Sequence, residues 1–168
     1  GMHLSNSEIL AAAAMRGALS QGAEIDYFCL KDLFPRKESS LFELRDKAVG
    51  LSGIDDPALL DTLDLSEERL EDLLIKMDNA DGVILASPVY FGDRSSVANK
   101  VMQITARHGL LEDKIFASVS VGAKRNGGQE TCNIYAMTDA LAQKALVVGN
   151  GPPTSQYGGT AVGGNPGH

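Results

Sequence analysis

A chain of 168 residues, 43% hydrophobic and 22% charged with 18 glycines, has the length of one ordinary domain and the composition of a globular protein, which excludes a disordered, collagen-like or disulfide-stapled chain. Fifteen Lys and Arg against 22 Asp and Glu give a net charge of -7 without a basic cluster, so nucleic acid is not an expected partner. The longest apolar stretches are only a few residues and no basic segment followed by an apolar one opens the chain, so neither a membrane span nor a signal peptide is expected and the cytoplasm is the expected compartment.

Gly1 before Met2 reads as a tag remnant and is set aside. Ser5 and Glu8 have capping-box spacing, and Ile9, Leu10, Ala13, Ala14 and Gly17 follow at helical intervals, so a helix is predicted over 6–21, ended by Gly22. Ile25, Tyr27 and Cys29 alternate with Asp26 and Phe28 before Lys31-Asp32 and predict an outer strand of about six residues. Residues 34–65 carry poor periodicity and scattered Pro and Gly; they predict a long irregular connection with one short helix over 40–47. Ser66 with Glu67 and Glu68 supplies a helix start, and Leu70, Leu73, Leu74 and Met77 an apolar face that ends near Ala80.

The runs GVILA (82–86), IFASVSV (115–121) and ALVV (145–148) are short and nearly continuously apolar, as parallel strands buried on both faces require. Helical patterns over 95–107 and 129–143 separate them and are long enough for crossovers. With a Gly/Pro-rich tail over 149–168, the chain reads as one doubly wound α/β domain over 1–168.

Ligands of such sheets lie beyond the carboxyl ends of the strands, which directs attention to two loops. In Ser87-Pro88-Val89-Tyr90-Phe91-Gly92 a buried strand is followed at once by a proline and two aromatics. Flat side chains and free backbone N–H groups there suit an aromatic, hydrogen-bonding ligand, or the two aromatics simply cover the sheet's edge. In Gly122-Ala123-Lys124-Arg125-Asn126-Gly127-Gly128-Gln129-Glu130 the glycines permit close backbone approach and the helix start offers N–H donors; the segment fits neither the Walker pattern nor GxGxxG. Cys29 and Cys132 and the three scattered histidines show no metal-ligand spacing.

In their order and spacing these segments resemble the NAD(P)H-dependent FMN reductase family of flavodoxin-like proteins, which includes WrbA-type quinone reductases and iron–sulfur flavoproteins. ADGVILASPVYFG is similar to the family's third strand and flavin loop, SVGAKRNGGQET to the loop after its fourth strand, Tyr157-Gly158-Gly159-Thr160 to the loop after its fifth, and SNSEIL to the end of its phosphate loop. The resemblance implies a flavodoxin-like doubly wound parallel sheet without the first strand and the last helix. It implies FMN, with the phosphate at Ser5, Asn6 and Ser7. The ring would lie against Ser87, Pro88, Val89, Tyr90, Phe91 and Gly92, edged by Gly122, Arg125, Asn126, Gly127 and Gly128, with Tyr157 as a further contact. Arg125 is either a tuner of the flavin's potential or a solvated loop charge.

The activity implied is an NAD(P)H oxidoreductase that passes hydride or electrons through FMN to a quinone, free flavin or other small acceptor. No residue of the chain is expected to act as nucleophile or base, since that chemistry belongs to the flavin. The alternative is a noncatalytic flavodoxin-like assembly or binding protein that has lost tight FMN binding. Pro35-Arg36-Lys37-Glu38-Ser39-Ser40 stands where iron–sulfur members group their cysteines, so no iron–sulfur cluster is expected. The incomplete sheet and the relatives' habit of assembling predict a homodimer or homotetramer.

Overall fold

The structure, a computed structural model, describes residues 5–33, 67–153 and 155–163. They form two compact units, one of 1–27 with 74–168 and one of 28–73. In the smaller unit lie α2 (Leu30–Leu33), the first turns of α3 (Glu67–Asn79) and an ion pair between Arg69 and Asp32 at 3.5 Å. The predicted helix over 40–47 and the cap at Ser66 fall outside the described residues.

The larger unit is an α/β assembly around a mostly parallel sheet. Helix α1 (Asn6–Ser20) starts at the predicted capping box: Ser5 Oγ accepts from Glu8 N, and the Glu8 carboxylate accepts from Ser5 N at 2.6 Å. Strand β1 (Gly82–Tyr90) is followed by the two-residue strand β2 (Asp93–Arg94), helix α4 (Ser96–His108), strand β3 (Ile115–Gly122), helix α5 (Gln129–Ala142) and the short strands β4 (Leu146–Val147) and β5 (Gly159–Val162). The parallel pair β1–β3 runs from Gly82↔Ile115 to Pro88↔Val121, and β2 turns back antiparallel on β1.

Both β4 and β5 lie parallel on β3, the former beside Ile115 and Phe116, the latter beside Val119 to Gly122. They are two pieces of one interrupted strand. The Gly/Pro-rich tail, in which no strand is predicted, holds β5, because a four-residue strand in a glycine-rich segment carries too little apolar pattern to be seen locally.

Register explains which face is dry. Leu85 faces the same way as Ser118, and Ser87 as Ser120; together with Phe116 they are buried. The covering side chains come from α4 (Ala98, Val101, Met102) and α5 (Cys132, Ala136, Met137, Ala140). The two helices are tied together where Thr105 Oγ1 meets Gln143 Oε1 at 2.9 Å. On the opposite face Ile84, Ile115 and Leu146 are about half exposed, and α1, which packs on β1 and β3, buries none of its own residues completely.

The outer strand predicted around Ile25 to Cys29 does not form, since residues 23–29 join no ladder. Alternation is a local signal, whereas a strand needs a backbone partner. Asp26 is instead held by Lys76 of α3 at 3.2 Å. No described strand lies along the β1 edge remote from β3 over 82–88.

Cys132 faces the sheet from α5 and is 1% exposed. Burial, reinforced by the Asp93 carboxylate and opposed by Arg94, pushes its thiol up to about 11. At pH 8 almost none of it is thiolate, so a thiol reagent should leave Cys132 unmodified in native protein and label it at once in denaturant. Rapid native labelling, located by peptide mass, would contradict this packing.

Candidate functional site

Strand β1 runs four residues further than the apolar pattern indicates, through Ser87-Pro88-Val89-Tyr90, so the segment predicted as a loop after the strand is largely strand. The turn itself is Phe91-Gly92, with φ of 53° and 84°. Two successive left-handed residues make a tight hairpin of the kind that matches strand twist. The chain then pairs back, Val89 with Arg94 and Tyr90 with Asp93.

This hairpin is anchored below and bare above. Arg94 lies buried, its Nε donating to Asn99 of α4 and its Nη2 to Asp139 of α5. Ser87 Oγ donates to Pro88 O at 2.9 Å and accepts from Ser95 N at 3.0 Å, while Ser95 Oγ caps α4 by accepting from Ala98 N at 3.2 Å. At the tip Tyr90 is 61% exposed and Phe91 fully so. A Phe91 ring in that position covers no sheet edge.

The glycine-rich loop leaves β3 at Gly122 and enters α5 at Gln129. It meets the hairpin closely at Gly128, where a Cβ would stand 2.6 Å from Gly92 Cα and 3.6 Å from Val89 Cγ1. Gly128 has φ of 91° and Asn126 of 57°, so the loop's path also depends on left-handed residues. Ala123 to Gly127 are exposed, which leaves Lys124, Arg125 and the local N–H groups facing solvent beside the hairpin.

The start of α1 completes the site. Gly163, just past β5, donates its N–H to Gly122 O at 2.8 Å, and a Cβ there would collide with the Asn6 carboxamide. Asn6 therefore stands at the carboxyl ends of β5 and β3. The helix turn holding Ser5, Asn6 and Ser7 presents the positive end of the α1 dipole, offset by the Glu8 carboxylate in the same turn.

Contacts thus join the hairpin to Gly128, the glycine loop to Gly122, and Gly122 through Gly163 to Asn6, all at one end of the sheet. Two residues predicted from sequence do not join this group. Ser87 is 2% exposed and its hydroxyl is spent on closing the hairpin, so it offers no side-chain donor to a ligand. Tyr157 precedes β5 instead of following it. The register Val119↔Gly159 sets it level with the middle of β3, five residues short of Gly122 and roughly 16 Å away along the strand.

Other residues that shape the site escaped sequence reasoning. Gln129 is 5% exposed, its Nε2 donating to Lys124 O at 2.9 Å and to Ala161 O at 3.3 Å. Asn133, one turn on, is fully buried, accepts from Ser118 Oγ at 3.0 Å and donates to Gly159 O at 3.2 Å. The available signal was two amides at i and i+4 on the face of α5 that otherwise carries Cys132, Ala136 and Met137; polar residues on a core face need partners. Among the described residues no group of three or more His, Cys, Asp or Glu could hold a metal ion, and no helix is long and apolar enough to cross a membrane.

Residues 3–157 match the protein family described as NADPH-dependent FMN reductase. The chain is 34% identical over 167 residues to an iron–sulfur flavoprotein of Methanocaldococcus jannaschii, with 96% of this chain and 78% of that protein covered. An iron–sulfur flavoprotein of Methanosarcina thermophila is 32% identical over 98 residues, 55% of this chain and 49% of its own length. A crystal structure of an apo NADH:FMN oxidoreductase superposes with a TM-score of 0.64 at 19% identity, covering 96% of this chain and 70% of that one; this likeness is one of fold.

Proposed function

From the premise that this chain belongs to the NADPH-dependent FMN reductase family, we propose that it binds FMN at the carboxyl end of the sheet and takes hydride from a nicotinamide nucleotide for delivery to a quinone, free flavin or other small acceptor. The observation that carries the reading is the convergence of three ligand-facing segments: the α1 start, the Phe91-Gly92 hairpin and the glycine loop, joined by contacts at Gly128, Gly122 and Gly163. Such an end-on site, backbone donors included, is where α/β sheets bind nucleotides.

The residues present fit FMN. Ser5, Asn6 and Ser7 offer hydroxyl, amide and helix N–H donors to a phosphate. Val89, Tyr90 and Phe91 offer apolar and aromatic surface to a ring system, and the glycine loop offers N–H groups to ring carbonyl oxygens. Bound FMN supplies the hydride and electron chemistry. The chain's own task is to bind and orient, with the Arg125 cation available to favour an anionic reduced ring.

The same proposal leaves out an iron–sulfur cluster, although the relatives carry that name. A cysteine-bound cluster needs four thiolates, whereas this sequence has two cysteines, and Cys132 is sealed in the core. A cytoplasmic homodimer or homotetramer is also part of the reading, supported by the half-exposed Ile84, Ile115 and Leu146 on one sheet face. Sedimentation velocity at micromolar concentration that returned a monomer would remove that part.

The decisive experiment is titration of FMN against the protein by flavin fluorescence, followed by NADH and NADPH oxidation with a soluble quinone as acceptor. Saturable binding and acceptor-dependent turnover are expected. Binding without turnover would favour the noncatalytic reading, and no binding at millimolar FMN would end the flavin reading. A finer outcome concerns Glu8, whose carboxylate occupies the helix turn assigned to the phosphate. Glu8→Gln keeps the capping box while removing the charge, so FMN should bind about threefold more tightly at low ionic strength, the gain shrinking as salt is added. An equal or weaker affinity would place the phosphate elsewhere.

A further inference from the structure

The glycine loop is exposed along 123–127, yet one buried side chain holds it to the rest of the site. The Gln129 carboxamide is wedged under the end of β3: a Cβ on Gly122 would lie 2.6 Å from its Nε2, and one on Gly127 would lie 3.3 Å from its Oε1. Its two N–H groups reach different segments, Lys124 O in the loop at 2.9 Å and Ala161 O in β5 at 3.3 Å. Two residues beyond Ala161, Gly163 donates to Gly122 O and abuts Asn6. Beside the direct Gly122–Gly163 link at the base of the loop, the amide therefore gives the loop's exposed part, at Lys124, its tie to β5 and so to the α1 start. Its backbone carbonyl is held as well, by Ser120 Oγ at 2.8 Å, so the side chain is aimed from a fixed base.

We infer that Gln129 is a positioning residue that fixes the spacing between the loop facing the flavin ring and the helix start facing the phosphate, and so sets the preference for FMN over riboflavin. The inference rests on the FMN reading given above. FMN engages the two ends of the site as a divalent ligand. Once the ring is docked, the phosphate's effective concentration at α1 depends on the two ends being held at the right separation. Riboflavin has no phosphate to place, so a fixed separation gains it nothing. Only a side chain with two donors on one nitrogen can hold both carbonyls from this position.

The test uses the whole chain with Gln129→Met, which keeps length without donors, and Gln129→Glu, which keeps shape but in its ionised form turns acceptors toward two carbonyl oxygens. In each, FMN and riboflavin are titrated by fluorescence, and amide exchange is followed in the flavin-free protein. Riboflavin affinity should stay within about threefold while FMN affinity falls about tenfold or more, and amides of 123–128 and 160–163 should exchange faster together. An FMN preference unchanged in both variants, or exchange unchanged in either segment, would overturn the proposal and leave the FMN reading standing. Wild-type protein that binds no flavin would overturn both.

Discussion

Alanine at Gly128 should weaken FMN binding by about a hundredfold, equivalent to about 2.7 kcal/mol. Two costs combine at this position. The residue sits at φ of 91°, where a left-handed conformation costs a side-chain-bearing residue about 1–2 kcal/mol. The new methyl would also stand 2.6 Å from Gly92 Cα and 3.3 Å from Gly92 N. Backbone cannot swing aside as a side-chain end can, so the hairpin and the glycine loop must separate, and the surface between them opens. Gly109→Ala is the matched control: it shares a left-handed φ of 67°, but nothing lies within 4 Å of its Cβ. It should cost about 1 kcal/mol in urea unfolding and leave FMN affinity alone. Equal flavin affinities in the two variants would show that the loops need not touch.

A second large effect is expected on stability, and it should be asymmetric. Arg94 has a side chain 7% exposed, whereas its partner Asp139 is 45% exposed. Removing Asp139 strands a guanidinium that is already incompletely satisfied, since its buried Nη1 has no hydrogen-bond partner among the described residues. Asp139→Ala should therefore destabilise by about 2–3 kcal/mol, below the range for a fully buried pair because one partner is half solvated. Arg94→Met leaves only a half-exposed carboxylate behind and should cost less, while Arg94→Met with Asp139→Leu should recover most of the loss. Urea unfolding of the three variants beside the wild type checks this order of costs. A cost for Arg94→Met equal to or above that of Asp139→Ala would mean that the hairpin depends on the arginine's packing and not on its charge being answered.

Both effects concern groups that were only half legible in the sequence. Helices α1, α4 and α5 are readable because each is a run with helical periodicity, and the Ser5/Glu8 box marks the start of the first. Strands β1 and β3 could be read because burial on both sides leaves an apolar run. The rest depends on partners remote in sequence. Pro88 and the aromatic pair look like a loop in isolation, yet β3 carries β1 on to Tyr90. Asp93-Arg94 is too short to show alternation, and β5 exists only because β3 offers it a ladder and the Asn133 and Gln129 amides donate to its carbonyl oxygens. In the site, the glycines and the exposed tip were marked by residue type alone. That the Ser87 hydroxyl closes the hairpin is not legible, because a serine beside a ligand loop and a serine closing a hairpin are identical in one dimension.

The interrupted strand beside β3 gives the sheet a place to grow. β4 is continued by the Val148 N–H to Phe116 O at 2.9 Å, and β5 is pinned at Gly159 by Asn133. The excursion between them closes on itself where Asn150 N donates to Gln156 O at 3.1 Å and Ser155 N to Gly151 O at 2.7 Å. Each flank keeps its register without help from the other, so extra residues inserted after Gly151 would lengthen a loop whose ends already meet, at a cost of roughly 0.6 kcal/mol for each doubling. A fluorescent or affinity peptide carried there would ride on the β3 side of the sheet, in a segment to which the hairpin, the glycine loop and the α1 start do not belong.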